Sequence, residues 1–267
     1  MAIVNGPFQF DGSAGGFRSY WDKDLKRWVL STKRTWNKKA IKDNPELWRV
    51  NAMNEEFKGC NLLSKIIREK TEDLSYLKNG RITGKLVKIA KRIQEINGAI
   101  DYGTRKIESS KFNVPLIGFC MNNAHPFKDV FQVVPEISIT DDRRLVMLKL
   151  NNFTSHLKFK WPERVFYYRV YLTIFELPDI VWDKIGERYI CVYPANSLGH
   201  KTTVSEWIEV STDAIDFQIM AAFDETHLPR EKTTVIVAMG LEFASDIQHN
   251  TPFVVRDHGT MSIVACL

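Results

Sequence analysis

The chain lacks most of what a catalytic or metal centre is built from. Its four cysteines (Cys60, Cys120, Cys191 and Cys266) stand singly and far apart. Neither a zinc ribbon nor a CxxC redox motif has anything to build on. Free, buried thiols are the expectation, with a long-range disulfide as the alternative. The six histidines are scattered, and none falls in HExxH or HxH spacing. There is no GxSxG elbow. The nearest approach to a phosphate loop, Gly80-Arg81-Ile82-Thr83-Gly84-Lys85, is one residue short and is followed by Leu86, which reads as a helix start. No apolar run is long enough to span a membrane. The N-terminus has no basic stretch leading into an apolar one, so synthesis in the cytoplasm without a signal peptide is expected. No metal, cofactor or small-molecule substrate is anticipated, and catalytic residues are expected to be none.

What remains is a globular composition with uneven charge. Of 267 residues, 44% are hydrophobic and 26% charged, enough apolar content for a core and too much for a disordered chain. The net charge of +5 hides a split. Residues 1–111 carry 23 Lys and Arg against 13 Asp and Glu, a balance of +10, whereas residues 112–267 carry 14 against 19, a balance of −5. A basic first part is expected to meet something negative: nucleic acid, an anionic surface, or the acidic part of another copy.

Periodicity also changes near residue 111. Phe17–Trp21 and Trp28–Thr32 read as a hairpin joined through Asp22-Lys23-Asp24-Leu25, with Trp21 and Trp28 covering one face. Asn44-Pro45-Glu46 supplies a cap, a first-turn proline and an acid for the helix dipole. From there Trp48, Met53, Phe57, Cys60, Leu63 and Ile67 recur as the buried stripe of an amphipathic helix running to about Arg68. A second helix is predicted over Ile82–Ile96, ended by Asn97-Gly98 and packed antiparallel to the first. After Gly103 the pattern turns to period two. Candidate strands are Val114–Cys120, Phe131–Val134, Glu136–Thr140, Leu145–Leu150, Val165–Phe175, Arg188–Tyr193, Ser205–Val210, Ile215–Phe223, Thr233–Glu242 and Met261–Ala265. Short strands at this spacing favour an antiparallel sandwich. The expected fold is therefore α+β: an N-terminal β-ribbon and antiparallel helix pair (1–111), followed by an antiparallel β-sandwich-like domain (112–267).

Several segments, taken in their order, resemble a family of proteins of similar length found in Bacteroidota. They are Phe10-Asp11-Gly12-Ser13-Ala14-Gly15-Gly16-Phe17, Thr32-Lys33-Arg34, Asp43-Asn44-Pro45, and Asn51-Ala52-Met53-Asn54-Glu55-Glu56-Phe57-Lys58-Gly59. Gly103-Thr104-Arg105, Leu116-Ile117-Gly118-Phe119-Cys120-Met121-Asn122 and Met239-Gly240-Leu241-Glu242-Phe243 continue the series. The resemblance implies the same architecture and brings no activity, cofactor or partner.

Two functional readings follow from the residues. In the first, the protein is a non-enzymatic structural or assembly protein. It acts through contacts with other copies of itself, as a homo-oligomer or a subunit of a multi-copy particle or filament, because opposite charges in two parts of one chain favour head-to-tail association. In the alternative it associates with nucleic acid. Lys33, Arg34, Lys38 and Lys39 interleave with Tyr20, Trp21, Trp28 and Trp36, as stacking platforms do beside phosphate contacts. Lys85, Lys88, Lys91 and Arg92 add a basic helix face. Each set also has a plain reading, as solvated helix charge and core aromatics. The acidic neighbours Glu55-Glu56 and Asp141-Asp142 read as solvated surface charge. Asp257-His258 is the most dyad-like pair, and a local hydrogen bond accounts for it without catalysis.

Overall fold

The computed structural model describes residues 2–3, 10–23, 25–32, 43–98, 101–155, 165–248, 251–255 and 258–267. By packing, the chain divides into residues 1–51 and 52–267. The change of hydrophobic period at 111 is a change of element type within the second unit, because strands and helices there share a core.

The first unit is the β-ribbon. Strands β1 (Ala2–Ile3), β2 (Gly12–Ala14), β3 (Phe17–Asp22) and β4 (Arg27–Thr32) form an antiparallel sheet in the order β1-β4-β3-β2. Trp21 lies directly opposite Trp28, and their rings meet edge to face with centroids 5.9 Å apart. Asn44 Oδ1 accepts from the Glu46 amide at 3.0 Å and caps a 3-10 turn over Pro45–Leu47, as the Asn-Pro-Glu signal requires.

Helix α1 (Trp48–Glu69) spans the boundary at residue 51 and lies mostly in the second unit, which continues with a 3-10 stretch (Glu72–Leu77) and α2 (Ile82–Ile96). Ser64 on α1 meets Thr83 at the start of α2, and Glu56 meets Lys91 near its end, so the two helices are antiparallel. A one-turn helix, α3 (Phe127–Val130), precedes the strands. These are β5 (Glu136–Ile139), β6 (Leu145–Phe153), β7 (Tyr167–Pro178), β8 (Ile180–Asp183), β9 (Arg188–Cys191), β10 (His200–Val204), β11 (Ile208–Glu209), β12 (Ile215–Ala222), β13 (Thr233–Gln248), β14 (Thr251–Val254) and β15 (Thr260–Cys266). The main sheet runs β10-β7-β13-β14, with β11 also on β7 and β15 also on β13; β12-β6-β5 form a second sheet and β8-β9 a hairpin. All of these pairings are antiparallel.

β7 and β13 are apolar almost without interruption because both of their faces are covered. Side chains alternate across a strand, and parity sorts them here. Val170, Leu172 and Ile174 of β7 join Val235, Val237, Met239 and Leu241 of β13 in a core shared with Val146, Leu148 and Leu150 of β6. The intervening residues Tyr171, Phe175, Leu177, Ile236 and Ala238 face the other way, into a core shared with Leu63, Ile67, Leu86, Ala90 and Ile93 of the helices. Helix pair, main sheet and small sheet therefore form three layers. Leu77 seats against two glycines: a Cβ at Gly240 or Gly259 would come within 2.7 Å or 2.6 Å of its methyl groups.

Three expected strands are corrected. Val114–Cys120 opens as a 3-10 turn over Val114–Leu116, where Pro115 has no amide to donate, and meets β15 only at its end, where the Gly118 amide donates to Ile263, Phe119 accepts from the Ile263 amide and Cys120 bridges Ser262. Phe131–Val134 is not a strand: α3 winds just before it and Gln132–Pro135 has no regular structure. The expected Ser205–Val210 strand is replaced by β10 and β11 on either side of a break, where the Ser205 hydroxyl takes the Val170 amide at 2.9 Å in place of a backbone carbonyl. All four cysteines are free, Cys60 buried and the others partly so.

Candidate functional site

α1 inverts its own amphipathic pattern in its first turns. The stripe expected to be buried includes Met53 and Phe57, yet these are 57% and 56% exposed. The residue that goes inside is Glu56, expected at the surface and in fact without solvent exposure. It is not a stray charge. Arg105 donates to it through Nε and Nη2 at 2.6 and 2.7 Å, the Gly103 amide donates at 2.9 Å, and Lys91 adds a second charged partner. Burial opposes its ionisation, but the hydrogen bonds from Arg105, Lys91 and Gly103 outweigh burial and hold its carboxyl down at about 2. The network extends to Gln94 and the Tyr189 hydroxyl, which donates to the Gly103 and Arg105 carbonyls. Gly59 lets the Tyr189 ring lie against α1, since a Cβ there would stand 2.7 Å from it.

With Glu56 locked inward, Met53 and Phe57 form the side of a groove of ≈ 720 Å³ along α2. Gly84, Val87, Lys88, Lys91, Arg92 and Glu95 line it from α2 at helical spacing. Lys88 and Arg92, one turn apart and both exposed, have no ion-pair or hydrogen-bond partner among the described residues. Gly84 leaves its wall open: a Cβ there would meet nothing within 4 Å.

A second polar pocket of ≈ 630 Å³ includes Tyr76, Lys78, Arg169 and Glu242. Arg169 and Glu242 are engaged with one another. Arg169 donates to Glu242 at 2.6 Å and lies between the rings of Tyr171 and Trp207, while Tyr171 donates to the same carboxylate at 2.8 Å. Burial lowers the Lys78 ammonium to about 8, and its Nζ donates to Thr71. The Tyr76 ring meets that of Tyr171 edge to face with centroids 6.0 Å apart, which ties the Glu72–Leu77 turn to the main sheet.

A third buried carboxylate, Glu176 on β7, organises two loops. It accepts from the Gly199 amide at 2.8 Å, the Arg230 amide at 2.9 Å and the Thr233 hydroxyl at 3.0 Å, and lies 2.5 Å from His227 Nε2. Burial raises its carboxyl and these hydrogen bonds more than reverse that, leaving it below the usual range. Arg143 donates to the carbonyls of Pro229 and Arg230, and Arg144 to that of Glu225. The 224–232 loop is thereby fixed with Asp224 and Glu225 exposed and Leu228 58% exposed. Neither acid has a side-chain partner among the described residues.

The residues singled out from sequence are placed as follows. Lys88, Lys91 and Arg92 are brought together on the groove, with Lys91 held by Glu56. Lys85 faces the solvent and bonds Asn123. Trp21 and Trp28 belong to the ribbon of the first unit. Lys33, Arg34, Trp36, Lys38, Lys39 and Asp257 lie outside the described residues. Asp141 and Asp142 sit exposed in the β5–β6 turn. Sequence reasoning missed Gly84, read only as part of a failed phosphate loop, and the Asp224-Glu225-Leu228 loop; the roles of Met53 and Phe57 were misread as core.

Among the described residues no three His, Cys, Asp or Glu side chains converge as a metal site, and no helix is long and apolar enough to cross a membrane. Fold and site together define a three-layer α+β protein with a basic-rimmed apolar groove on its helical layer. No protein-family model, curated protein or solved structure matches the chain.

Proposed function

We propose that the protein is a structural or assembly component that works by binding other copies of itself through its surfaces, head to tail. The observation that carries this reading is the groove on α1 and α2: apolar side chains left outside by a helix that buries a glutamate instead, beside Lys88 and Arg92, which have no partner among the described residues. Exposed apolar surface rimmed by charge marks docking sites. The rest of the chain carries the complementary sign, with 19 acids against 14 bases over 112–267. Opposite signs on different parts of one chain make a heterologous contact, which closes as a ring or continues as a filament or shell.

The test is mass by sedimentation or light scattering over a concentration series, at physiological salt and again near 1 M. The reading expects assemblies at physiological salt that shrink at high salt, since surface charge is screened there, and that survive nuclease. A monomer at every concentration and salt contradicts it. Assemblies dissolved by nuclease would give the basic face to nucleic acid instead.

A further inference from the structure

We infer that the groove between α1 and α2 receives the 224–229 loop of a second copy, with Leu228 entering the apolar floor and Asp224 and Glu225 meeting Lys88 and Arg92. This inference rests on the self-assembly reading and names its two contacting surfaces.

The groove side calls for an acid-flanked apolar guest. Its apolar lining includes Met53, Phe57 and Val87, and the flexible methionine adapts to varied apolar shapes. Lys88 and Arg92 sit one helical turn apart, so they offer two cationic contacts on one edge. Two grooves facing each other across a two-fold axis that passes between Lys88 and Arg92 would bring these cations together, which disfavours that symmetric pairing. Gly84 adds a separate sign. A glycine early in a helix costs stability relative to alanine, and no neighbour within the chain requires it, because a Cβ at this position would touch nothing. The space it keeps open lies in the groove wall.

The loop side has the matching chemistry. Leu228 is an exposed leucine beside two acids without side-chain partners among the described residues, in the acidic part of the chain. It is also rigid. Glu176 holds His227, the Arg230 amide and Thr233, while Arg143 and Arg144 hold the carbonyls of Glu225, Pro229 and Arg230. Gly199 permits the close approach of His227, since a Cβ there would stand 2.6 Å from its ring. A loop ordered in advance loses little entropy on docking, so a small apolar knob with two charges suffices to direct association.

One-sided variants test the pairing. Lys88→Glu with Arg92→Glu disables the groove, and Asp224→Lys with Glu225→Lys disables the loop. All four positions are solvent-facing, and circular dichroism checks that both variants fold. Each variant alone should lose self-association by about tenfold or more at physiological salt. Mixed together, the intact groove meets the intact loop and the charge-reversed groove meets the charge-reversed loop, so both contacts return and assemblies of alternating variants should re-form. Gly84→Leu and Leu228→Ser, which carry no charge change, should weaken assembly of the otherwise unaltered chain. If the unaltered protein assembles and all four variants assemble equally well, the groove–loop pairing is wrong while self-assembly stands. If the unaltered protein is monomeric throughout, the self-assembly reading and this pairing fail together.

Discussion

At Glu56 a carboxylate without solvent exposure accepts from two basic side chains and a backbone amide. Its inward turn leaves Met53 and Phe57 outside. Removing one partner of such a buried set is costly because the others stay desolvated, so Glu56→Gln should destabilise the fold by about 2–4 kcal/mol in urea titration. The pH signature has a defined sign. The carboxyl is depressed from 4.5 to about 2 in the folded state, so its contribution is complete above the ordinary value and is lost as pH falls from there towards 2. The unaltered protein should lose stability over that window more steeply than the Gln variant; parallel curves would show that Glu56 is not ionised in the fold. Close packing is testable in the same way. Gly240→Ala places a methyl against Leu77 in a strand buried on both faces and should cost about 1–3 kcal/mol.

The elements differ in how readable they are. α2 is legible to its ends because its apolar spacing, Asn97-Gly98 stop and charged outer face all agree. α1 is legible as a helix but not in its face, since Glu55-Glu56 looks like surface charge and nothing local announces Arg105 as a partner 49 residues away. β7 and β13 read as strands, but a run apolar at every position does not say which parity meets which core. That follows only once helices and small sheet lie on opposite sides. Val114–Cys120 misleads because β-branched and aromatic residues outvote Pro115 in a composition-based reading. The groove is half legible: Lys88, Lys91 and Arg92 stand out as a basic face, whereas its floor is visible only when the expected stripe fails to bury. Gly84 separates docking from folding at this scale. With nothing within 4 Å of a Cβ, Gly84→Ala should raise stability by roughly 0.5–1 kcal/mol, read as a higher melting temperature. A loss of stability would mean that the position is packed after all.

Across the second unit, one sheet serves two cores. Neither the helix pair nor the small sheet can leave without exposing one face of β7 and β13, so residues 52–267 should unfold in a single transition with coincident far-UV and near-UV curves. Separate transitions would show that the layers are independent. Charge is distributed on this body with a purpose that the paired groups make visible. Lys58 with Glu55, Lys65 with Glu69 and Lys111 with Glu108 neutralise one another locally, whereas Lys88 and Arg92 in the basic part, and the side chains of Asp224 and Glu225 in the acidic part, have no such partner among the described residues. In the proposed assembly these leftover charges meet between copies. Zero-length carbodiimide coupling of a mixture of light and isotope-labelled protein tests this directly, because it joins amines only to carboxylates in contact. Peptides linking Lys88 of one label to Asp224 or Glu225 of the other are expected at physiological salt and should vanish at high salt. Only same-label links, such as Lys58–Glu55 and Lys111–Glu108, would contradict it.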